Sequence, residues 1–298
     1  MKLTLRFIAF CLVSLLLSHS SFGTTTDKEF STADSLYIDL MGKADTAIAQ
    51  NDWAQAESLL LTAMRSQPSN PANVLLLSNL AIIRFQQGND SLALATINDA
   101  IIIAPNSVTA LNNRARILKA IGDIDGAYAD YEKIITLDST LTEPLYLHGI
   151  IALSKFDTQT AFNDFSKLEQ IIPNDIMTLD AMAMYYFHTQ EFKMAIPYFN
   201  KLLAIDKNAD YYHDKIVCLL FENQYSDASA DINDALNLYP NDGNFYLLRA
   251  YLNRMYYRQN DADNDAKKAL ELGVPAEKVK MWMEITPFNS KTNSLHTR

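Results

Sequence analysis

The sequence predicts an all-α protein built from stacked helix pairs, and three observations support this prediction. Glycine (8) and proline (9) are scarce in a chain of 298 residues, whereas ordinary proteins contain about 12% of the two together. An alanine returns at intervals of about 34 residues, and apolar residues follow it at spacings of four and seven. Because sheets need many tight turns, which draw on glycine and proline, the composition favours helices with short connections.

Charge and hydrophobicity exclude several classes of function. Lys and Arg number 25 against 35 Asp and Glu, which gives a net charge of −10, and no basic stripe stands out. Nucleic-acid binding by phosphate neutralisation is therefore not expected. The hydrophobic share of 49% is too high for a disordered chain. Two cysteines, Cys11 and Cys218, cannot form a disulfide framework if the first is removed with a leader.

Residues 1–23 have the pattern of a secretory signal peptide. Lys2 and Arg6 precede the apolar run FIAFCLVSLLL, and small polar residues follow it, as in cleavable leaders. The run is shorter than the roughly 20 residues that span a bilayer. We therefore expect cleavage after Ser20 or Gly23, a mature chain without a transmembrane segment, and a periplasmic or secreted location. A buried N-terminal helix and an uncleaved anchor are the alternatives.

The recurring alanine divides the chain into seven repeats. It stands at Ala56, Ala93, Ala127, Ala161, Ala195, Ala228 and Ala262. A period of 34 residues is typical of stacked helix pairs rather than of one globular core. Twelve places earlier comes a second small residue, at Ala44, Ala81, Ala115, Gly149, Ala183 and Ala250, with Ile216 as the exception. Small residues on facing helices allow the two helix axes to approach closely.

The third repeat, Val108 to Leu141, reads VTALNNRARILKAIGDIDGAYADYEKIITLDSTL, and a proline closes four repeats, at Pro68, Pro105, Pro173 and Pro240. This order of small residue, alanine, aromatic residue and proline resembles the tetratricopeptide repeat (TPR) family. The family's frequent tryptophan is replaced by leucine or tyrosine, so the motif is degenerate. The resemblance implies a right-handed α-α superhelix, or solenoid, of about seven TPR units whose concave surface binds a protein or peptide.

The repeats predict the domain boundaries. A further helix is expected after the last repeat, because Val279, Trp282 and Met283 form an apolar stripe that can cap the open end of the solenoid. The predicted segments are a signal peptide (1–23), a disordered stretch (24–31), a solenoid (32–276) with units at about 37–70, 74–107, 108–141, 142–175, 176–208, 209–242 and 243–276, a capping helix (276–286) and a disordered tail (287–298).

The sequence contains no pattern typical of an active site. Zinc-hydrolase, P-loop, dinucleotide-binding and nucleophile-elbow motifs are absent from it. His148, His188 and His213 fall at different positions of different repeats, so we do not expect them to converge on a metal. Cys218 lies in the apolar context IVCLLF and is interpreted as a small buried hydrophobe. We predict a protein that is not an enzyme and has no metal or cofactor.

A charge pattern recurs within the repeats. Where the seventh residue of a repeat is basic, an aspartate follows sixteen places later in four of five cases, and Lys43 is the exception. The first position lies on the first helix and the second lies beside the recurring alanine on the second helix. Because a partly buried charge needs a partner, we predict pairs across the two helices. These pairs are Arg114 with Asp130, His148 with Asp164, Lys215 with Asp231, and Arg249 with Asp265.

The resemblance also implies which residues meet a partner, since the first helix of each TPR unit lines the concave groove. More than half of the residues at those places are apolar here, which favours a groove for an apolar peptide or helix. The alternative is that tight curvature or the C-terminal tail covers this surface. The candidate partner-binding residues are Ile82, Phe85, Asn112, Arg116, Lys119, Tyr146, Ile150, Leu153, Met184, Phe187, Leu220 and Tyr251.

The third repeat is the place where this face becomes basic. Asn112, Arg116 and Lys119 are spaced at i, i+4 and i+7 on one helix, so they project together. Such residues can bind a carboxylate or backbone carbonyls through charge-assisted hydrogen bonds. The alternative is that the two cations pair with acids such as Glu143 and keep the groove soluble.

Two functions from different classes fit these observations. The first is a non-enzymatic interaction scaffold of the bacterial cell envelope, which binds an extended or helical peptide segment in the groove. The second is a chaperone-like periplasmic carrier of apolar or unfolded segments. An enzyme or an enzyme's regulatory subunit is a third interpretation, and the lack of any long insertion in the repeats disfavours it.

Overall fold

The computed structural model describes residues 32–285, and this part of the chain is entirely helical. It contains fifteen α-helices and no β-strand, which confirms the predicted all-α class. The predicted signal peptide (1–23), the stretch 24–31 and the tail 287–298 lie outside the described residues.

Fourteen of these helices form seven consecutive pairs, and each helix packs against the other member of its pair. A fifteenth helix follows. The bounds are α1 (Thr32–Ala49), α2 (Trp53–Ser66), α3 (Asn73–Gln86), α4 (Asp90–Ile103), α5 (Val108–Ile121), α6 (Ile124–Leu137), α7 (Thr142–Ser154), α8 (Thr158–Ile171), α9 (Ile176–His188), α10 (Phe192–Ile205), α11 (Ala209–Phe221), α12 (Tyr225–Leu238), α13 (Gly243–Met255), α14 (Gln259–Glu271) and α15 (Ala276–Glu284).

The chain divides between Ser139 and Thr140 into two compact units, called here the N-terminal unit (α1–α6) and the C-terminal unit (α7–α15). Successive pairs stack within each unit, since α2 packs on α3, α4 on α5, α8 on α9, α10 on α11 and α12 on α13. First helices also touch, because α3 packs on α5, α7 on α9 and α11 on α13. Each unit is therefore a stack of helix pairs in chain order.

The small residues set the spacing of the helices within a pair. All seven recurring alanines are fully buried. Gly149 on α7 illustrates the reason, because a Cβ at this position would lie only 2.3 Å from the Phe165 ring of α8. The helices can approach this closely only where the facing residue has little or no side chain. The period of 34 residues in the sequence is therefore the period of the helix-to-helix contact.

The turns between paired helices share one backbone feature. Each of the seven turns places one residue at positive φ, namely Asn51, Gly88, Gly122, Phe156, Gln190, Asn223 and Tyr257. Only two of these are glycine, the residue that adopts this conformation at no steric cost. Asp52, Asp123 and Asp157 then cap the next helix by accepting hydrogen bonds from backbone N–H groups of its first turn, at 2.9–3.1 Å, as favoured at helix N-termini.

The four predicted charge pairs are confirmed. In both arginine pairs the guanidinium donates two hydrogen bonds to one carboxylate, and hydrogen bonding to Asp130 raises the pKa of Arg114. The distances are Arg114 Nε–Asp130 Oδ2 2.8 Å and Nη2–Oδ1 2.6 Å, Arg249 Nε–Asp265 Oδ2 2.9 Å and Nη2–Oδ1 2.6 Å, Lys215 Nζ–Asp231 Oδ2 2.8 Å, and His148 Nδ1–Asp164 Oδ2 2.6 Å. These side chains join the two helices of one repeat and have a structural role.

The second repeat, whose seventh residue is leucine, uses a different contact. Arg84, one turn later on α3, donates from Nη1 to the Thr96 hydroxyl at 2.5 Å. Its Nε also lies 2.9 Å from Glu57 Oε1 on α2. Thr96 therefore occupies the position that aspartate holds in other repeats, and the sequence pattern did not predict its partner.

Helix α15 packs on α13 and α14. Trp282 is buried, with its ring centroid 5.4 Å from that of Tyr251 and 6.2 Å from that of Phe221. Arg254 on α13 donates from Nη1 to the carbonyl oxygens of Trp282 and Ile285, both at 3.3 Å. This arginine satisfies carbonyls at the end of α15 that have no helical partner and holds the helix in place.

Candidate functional site

The structure buries four of the twelve residues predicted to contact a partner: Ile82, Leu153, Leu220 and Tyr251. The prediction for these four is wrong, because a buried side chain presents no surface to a partner. Ile82 belongs to the core of the N-terminal unit, and Leu220 and Tyr251 belong to that of the C-terminal unit. The packing of neighbouring helices covers these places of the first helix.

The other eight predicted residues keep part of their surface. Lys119 is exposed, and Phe85, Asn112, Arg116, Tyr146, Ile150, Met184 and Phe187 are half-buried. Phe85, Asn112, Arg116 and Lys119 belong to the N-terminal unit, and the other four belong to the C-terminal unit.

In the N-terminal unit, the α5 cluster comprises Asn112, Arg116 and Lys119. Among the described residues of this unit, salt bridges join Lys43 to Asp39, and Arg84 and Arg114 to acids on neighbouring helices, so Arg116 and Lys119 pair with no acid of their own unit. The Oδ1 atom of Asn112 is buried and presents no surface to a partner. The cluster therefore offers the guanidinium and ammonium donors of Arg116 and Lys119.

In the C-terminal unit, the hydroxyl of Tyr146 is already engaged. It donates a hydrogen bond to Asp180 Oδ2 on α9 at 2.6 Å. Tyr211 on α11 hydrogen-bonds to the same carboxyl group. Burial raises the pKa of Asp180, and the hydrogen bonds from the two tyrosines oppose this effect. Asp180 thus links three successive first helices through its two tyrosine partners.

The raised pKa of Asp180 predicts how its contribution to stability depends on pH. Its folded-state pKa lies above the unfolded value of about 3.9, so folding favours the protonated form at this site. The contribution of Asp180 is the free energy of unfolding of the parent protein minus that of the variant Asp180→Asn. This difference should fall as pH rises from about 4 to 7. Urea denaturation of both proteins at several pH values measures this difference.

Asp157→Asn is the matched control, with the opposite sign. Hydrogen bonds from Thr160 lower the pKa of Asp157, so the corresponding difference should rise with pH below about 4 and stay nearly constant from about 4 to 7. Two differences with the same slope would contradict the assignment.

A pocket of about 400 Å³ opens in the C-terminal unit. Its lining comes from four places in the chain: the end of α9, the start of α10, α11 and α15. Phe187 was predicted as a contact residue, whereas its aromatic neighbours were not. The lining residues are Phe187, His188, Gln190, Phe192, His213, Asp214, Val217, Phe221, Lys278, Met281, Trp282 and Ile285.

Aromatic rings connect the walls of this pocket. Phe187 and Phe192 have ring centroids 5.9 Å apart, Phe192 stacks on Phe221 at 5.2 Å, and Phe221 lies 6.2 Å from Trp282. The aromatic character of each helix was visible in the sequence. Their meeting point depends on how four elements pack, and no spacing rule predicts it.

Two of the three histidines between residues 32 and 285, His188 and His213, line this pocket. The sequence predicted only that the histidines would not converge on a metal. Within residues 32–285, no group of three or more His, Cys, Asp or Glu side chains is arranged to hold a metal ion. Cys218 is fully buried, as expected, and burial raises the pKa of its thiol, which disfavours the reactive thiolate.

None of the helices between residues 32 and 285 is long and apolar enough to cross a bilayer.

Comparison with known proteins agrees with the architecture. Models described as tetratricopeptide repeats match residues 41–108, and residues 108–141 and 178–208. A DnaJ homolog subfamily C member 7 homolog from Dictyostelium discoideum is 26% identical over an alignment of 258 residues, and the match covers 77% of this chain and 47% of that protein. The chain thus spans about half the length of this curated relative.

Two solved structures are similar over most of this chain. A tetratricopeptide repeat protein from Parabacteroides merdae is 25% identical, with a TM-score of 0.60, and the match covers 84% of this chain and 98% of that one. YrrB, a TPR protein with an unusual peptide-binding site, is 16% identical, with a TM-score of 0.54 and coverage of 63% and 98%. The matched models identify tetratricopeptide repeats within residues 41–141 and 178–208, and the solved structures share the fold of stacked helix pairs.

Proposed function

We propose that this protein is a non-enzymatic scaffold of the bacterial cell envelope that binds an extended or helical segment of a partner protein. The observation that carries the proposal is the α5 cluster, whose two cations keep accessible surface and pair with no acid of the N-terminal unit. A carboxylate or backbone carbonyl of a bound peptide can supply the missing acceptors.

The chemistry of the cluster matches that of a peptide backbone or terminus. Arg116 and Lys119 can donate to a carboxylate or to backbone carbonyls. Phe85 lies on α3, which packs against α5, and is half-buried. It can contact an apolar side chain of the same segment. The structure of YrrB provides a related fold with a peptide-binding site.

Removing the two cations is expected to weaken the binding of a partner. The double variant Arg116→Ala/Lys119→Ala should lose about 1.5 to 3 kcal/mol of binding free energy, the scale of a hydrogen bond to a charged group. The tagged mature protein is first used to capture its partner from the native cells, and calorimetry with the purified partner then measures the affinity.

Lys43→Ala/Arg65→Ala is the matched control for this prediction. It removes the same two charges from exposed positions of the N-terminal unit and should leave the affinity unchanged. If both double variants bind the partner with the same affinity, the α5 cluster is not a binding site.

The same capture separates a scaffold from a carrier. A scaffold retains one partner at a fixed stoichiometry, whereas a chaperone-like carrier retains many unfolded clients at low occupancy. Quantitative mass spectrometry of the captured proteins measures this stoichiometry. A broad set of clients without a stoichiometric partner would favour the carrier.

Export is part of the proposal and rests on the leader-like pattern of residues 1–23. N-terminal sequencing of the protein from its native host should give a chain that begins after Ser20 or Gly23. An intact Met1 in a cytoplasmic fraction would contradict the proposed location.

A further inference from the structure

We propose that the pocket of the C-terminal unit is a second recognition site, which binds a bulky apolar side chain of a partner segment with a lysine or arginine next to it. The ligand class rests on the proposed function, because the ligand is taken to be a peptide. The site itself is distinct from the α5 cluster and is carried by different residues.

The size and lining of the pocket fit an apolar anchor. Ligand pockets typically occupy about 300 to 1,000 Å³ and are mostly apolar with a few polar groups, and this pocket has a volume of about 400 Å³. Phe187, Phe192, Phe221 and Trp282 form its aromatic walls. Large side chains bound in such pockets contribute most of the affinity of protein interfaces.

The walls are held in place without a ligand. Phe192, Phe221 and Trp282 are buried in the core of the C-terminal unit, and Arg254 holds the end of α15 through the carbonyls of Trp282 and Ile285. A preformed site avoids the entropic cost of ordering its side chains on binding. Met281, by contrast, is 48% exposed at the same pocket, and its unbranched side chain can adapt to different ligands.

Asp214 places a carboxylate in the lining of the pocket, whereas burial favours the protonated form of the nearby Asp180. Asp214 lines the pocket, and its charge contributes to the raised pKa of Asp180, so the two groups are neighbours. In the described part of the C-terminal unit neither of them pairs with a lysine or arginine, and Asp214 instead contacts His213, Nδ1–Oδ1 2.9 Å.

Three other titratable groups line the pocket, namely His188, His213 and Lys278. Burial lowers the pKa of His188, which favours its neutral form at pH 7. The Lys278 ammonium group donates to the neutral amide oxygen of Asn244, Oδ1, at 2.8 Å rather than to Asp214. Because no lysine or arginine of the described residues pairs with Asp214, a cationic side chain of the ligand is the complementary group for it.

Trp282 provides a direct reporter for the test. The chain contains two tryptophans, so the variant Trp53→Phe leaves Trp282 as the single tryptophan, within the pocket wall. The full mature chain with this substitution is titrated with three capped tetrapeptides, acetyl-Ala-Phe-Lys-Ala-amide, acetyl-Ala-Phe-Glu-Ala-amide and acetyl-Ala-Ala-Lys-Ala-amide. Tryptophan fluorescence reports binding.

We expect the Phe-Lys peptide to bind at least tenfold more tightly than either of the other two. Adding Asp214→Asn should reduce the preference for Phe-Lys over Phe-Glu to less than threefold. Asp234→Asn, which removes the same charge from an exposed position on α12, should leave the tenfold preference in place.

Two results would overturn the inference. Equal affinities for the Phe-Lys and Phe-Glu peptides would show that the ligand needs no cation. The absence of a fluorescence response to the Phe-Lys peptide would show that the pocket is not a binding site. Neither result bears on the α5 cluster. The capture experiment with Arg116→Ala/Lys119→Ala tests the proposed function separately.

Discussion

Replacing Trp282 with alanine is expected to lower the free energy of unfolding by about 3 to 5 kcal/mol, the usual cost of truncating a large buried aromatic side chain. Trp282 is 7% exposed and contacts Phe221 and Tyr251, which lie on two different helices. Its removal exposes apolar surface of α11 and α13 and leaves α15 without its main contact. Helix α15 then no longer covers the apolar surface of the last repeat, α13 and α14.

The loss should be concentrated at the C-terminal end of the chain. In a stack of repeats each repeat contacts mainly its neighbours, so amide hydrogen exchange should accelerate first in α13, α14 and α15. Chemical denaturation measures the total change in stability, and hydrogen exchange with mass spectrometry locates it.

Met281→Ala is the matched control, because the residue lies next to Trp282 on the same helix and is largely exposed. Exposed substitutions of this kind usually change stability by less than about 0.5 kcal/mol. If Trp282→Ala costs no more than Met281→Ala, then α15 does not stabilise the last repeat.

Replacing Arg114 with methionine is expected to cost about 3 kcal/mol, the lower end of the range for breaking a buried charge pair. The Asp130 side chain is 5% exposed, and its carboxylate accepts two hydrogen bonds from the guanidinium. Without Arg114 it stays buried without this charge partner. The partial exposure of the Arg114 side chain, 27%, places the expected cost at the lower end.

A second substitution tests whether the unpaired carboxylate causes the loss. The double variant Arg114→Met/Asp130→Leu removes both charges and should recover most of the stability, because apolar residues of similar volume often replace buried pairs without loss. Denaturant unfolding of the two variants measures this recovery. A double variant as unstable as Arg114→Met would show that packing, rather than charge, explains the cost.

Lys43→Met is the matched control at the same place of the first repeat. Lys43 contacts Asp39 at the surface, with its side chain 61% exposed, and exposed pairs of this kind contribute about 0.3 to 0.5 kcal/mol. A loss comparable to that of Arg114→Met would contradict the role given to burial.

The fold was predictable from the sequence because its decisive contacts recur locally. The recurring alanine, the second small residue twelve places earlier and the pairs at a separation of sixteen all lie within one repeat. Two helices joined by a short turn bring such positions together in every repeat. For this reason a pattern that recurs across the repeats could predict the pairing of Arg249 with Asp265.

The candidate site was predictable only in part. The helical spacing correctly placed Asn112, Arg116 and Lys119 on one helix, but it did not distinguish Phe187, which lines a pocket, from Leu220, which is buried. Both occupy the twelfth place of a repeat. Their exposure depends on how closely the neighbouring helices approach, and a periodic pattern contains no information about that distance.

The amino-acid sequence by itself determined the helical class, the seven helix pairs and the charge pairs within them. The tertiary structure decided which side chains remain accessible and where the pocket forms. The pocket joins Phe187, Phe192, Phe221 and Trp282, which are separated by up to 95 residues in the chain. Contacts within one helix pair follow from the helical repeat, whereas a pocket formed by several elements depends on the orientation of each element against the next.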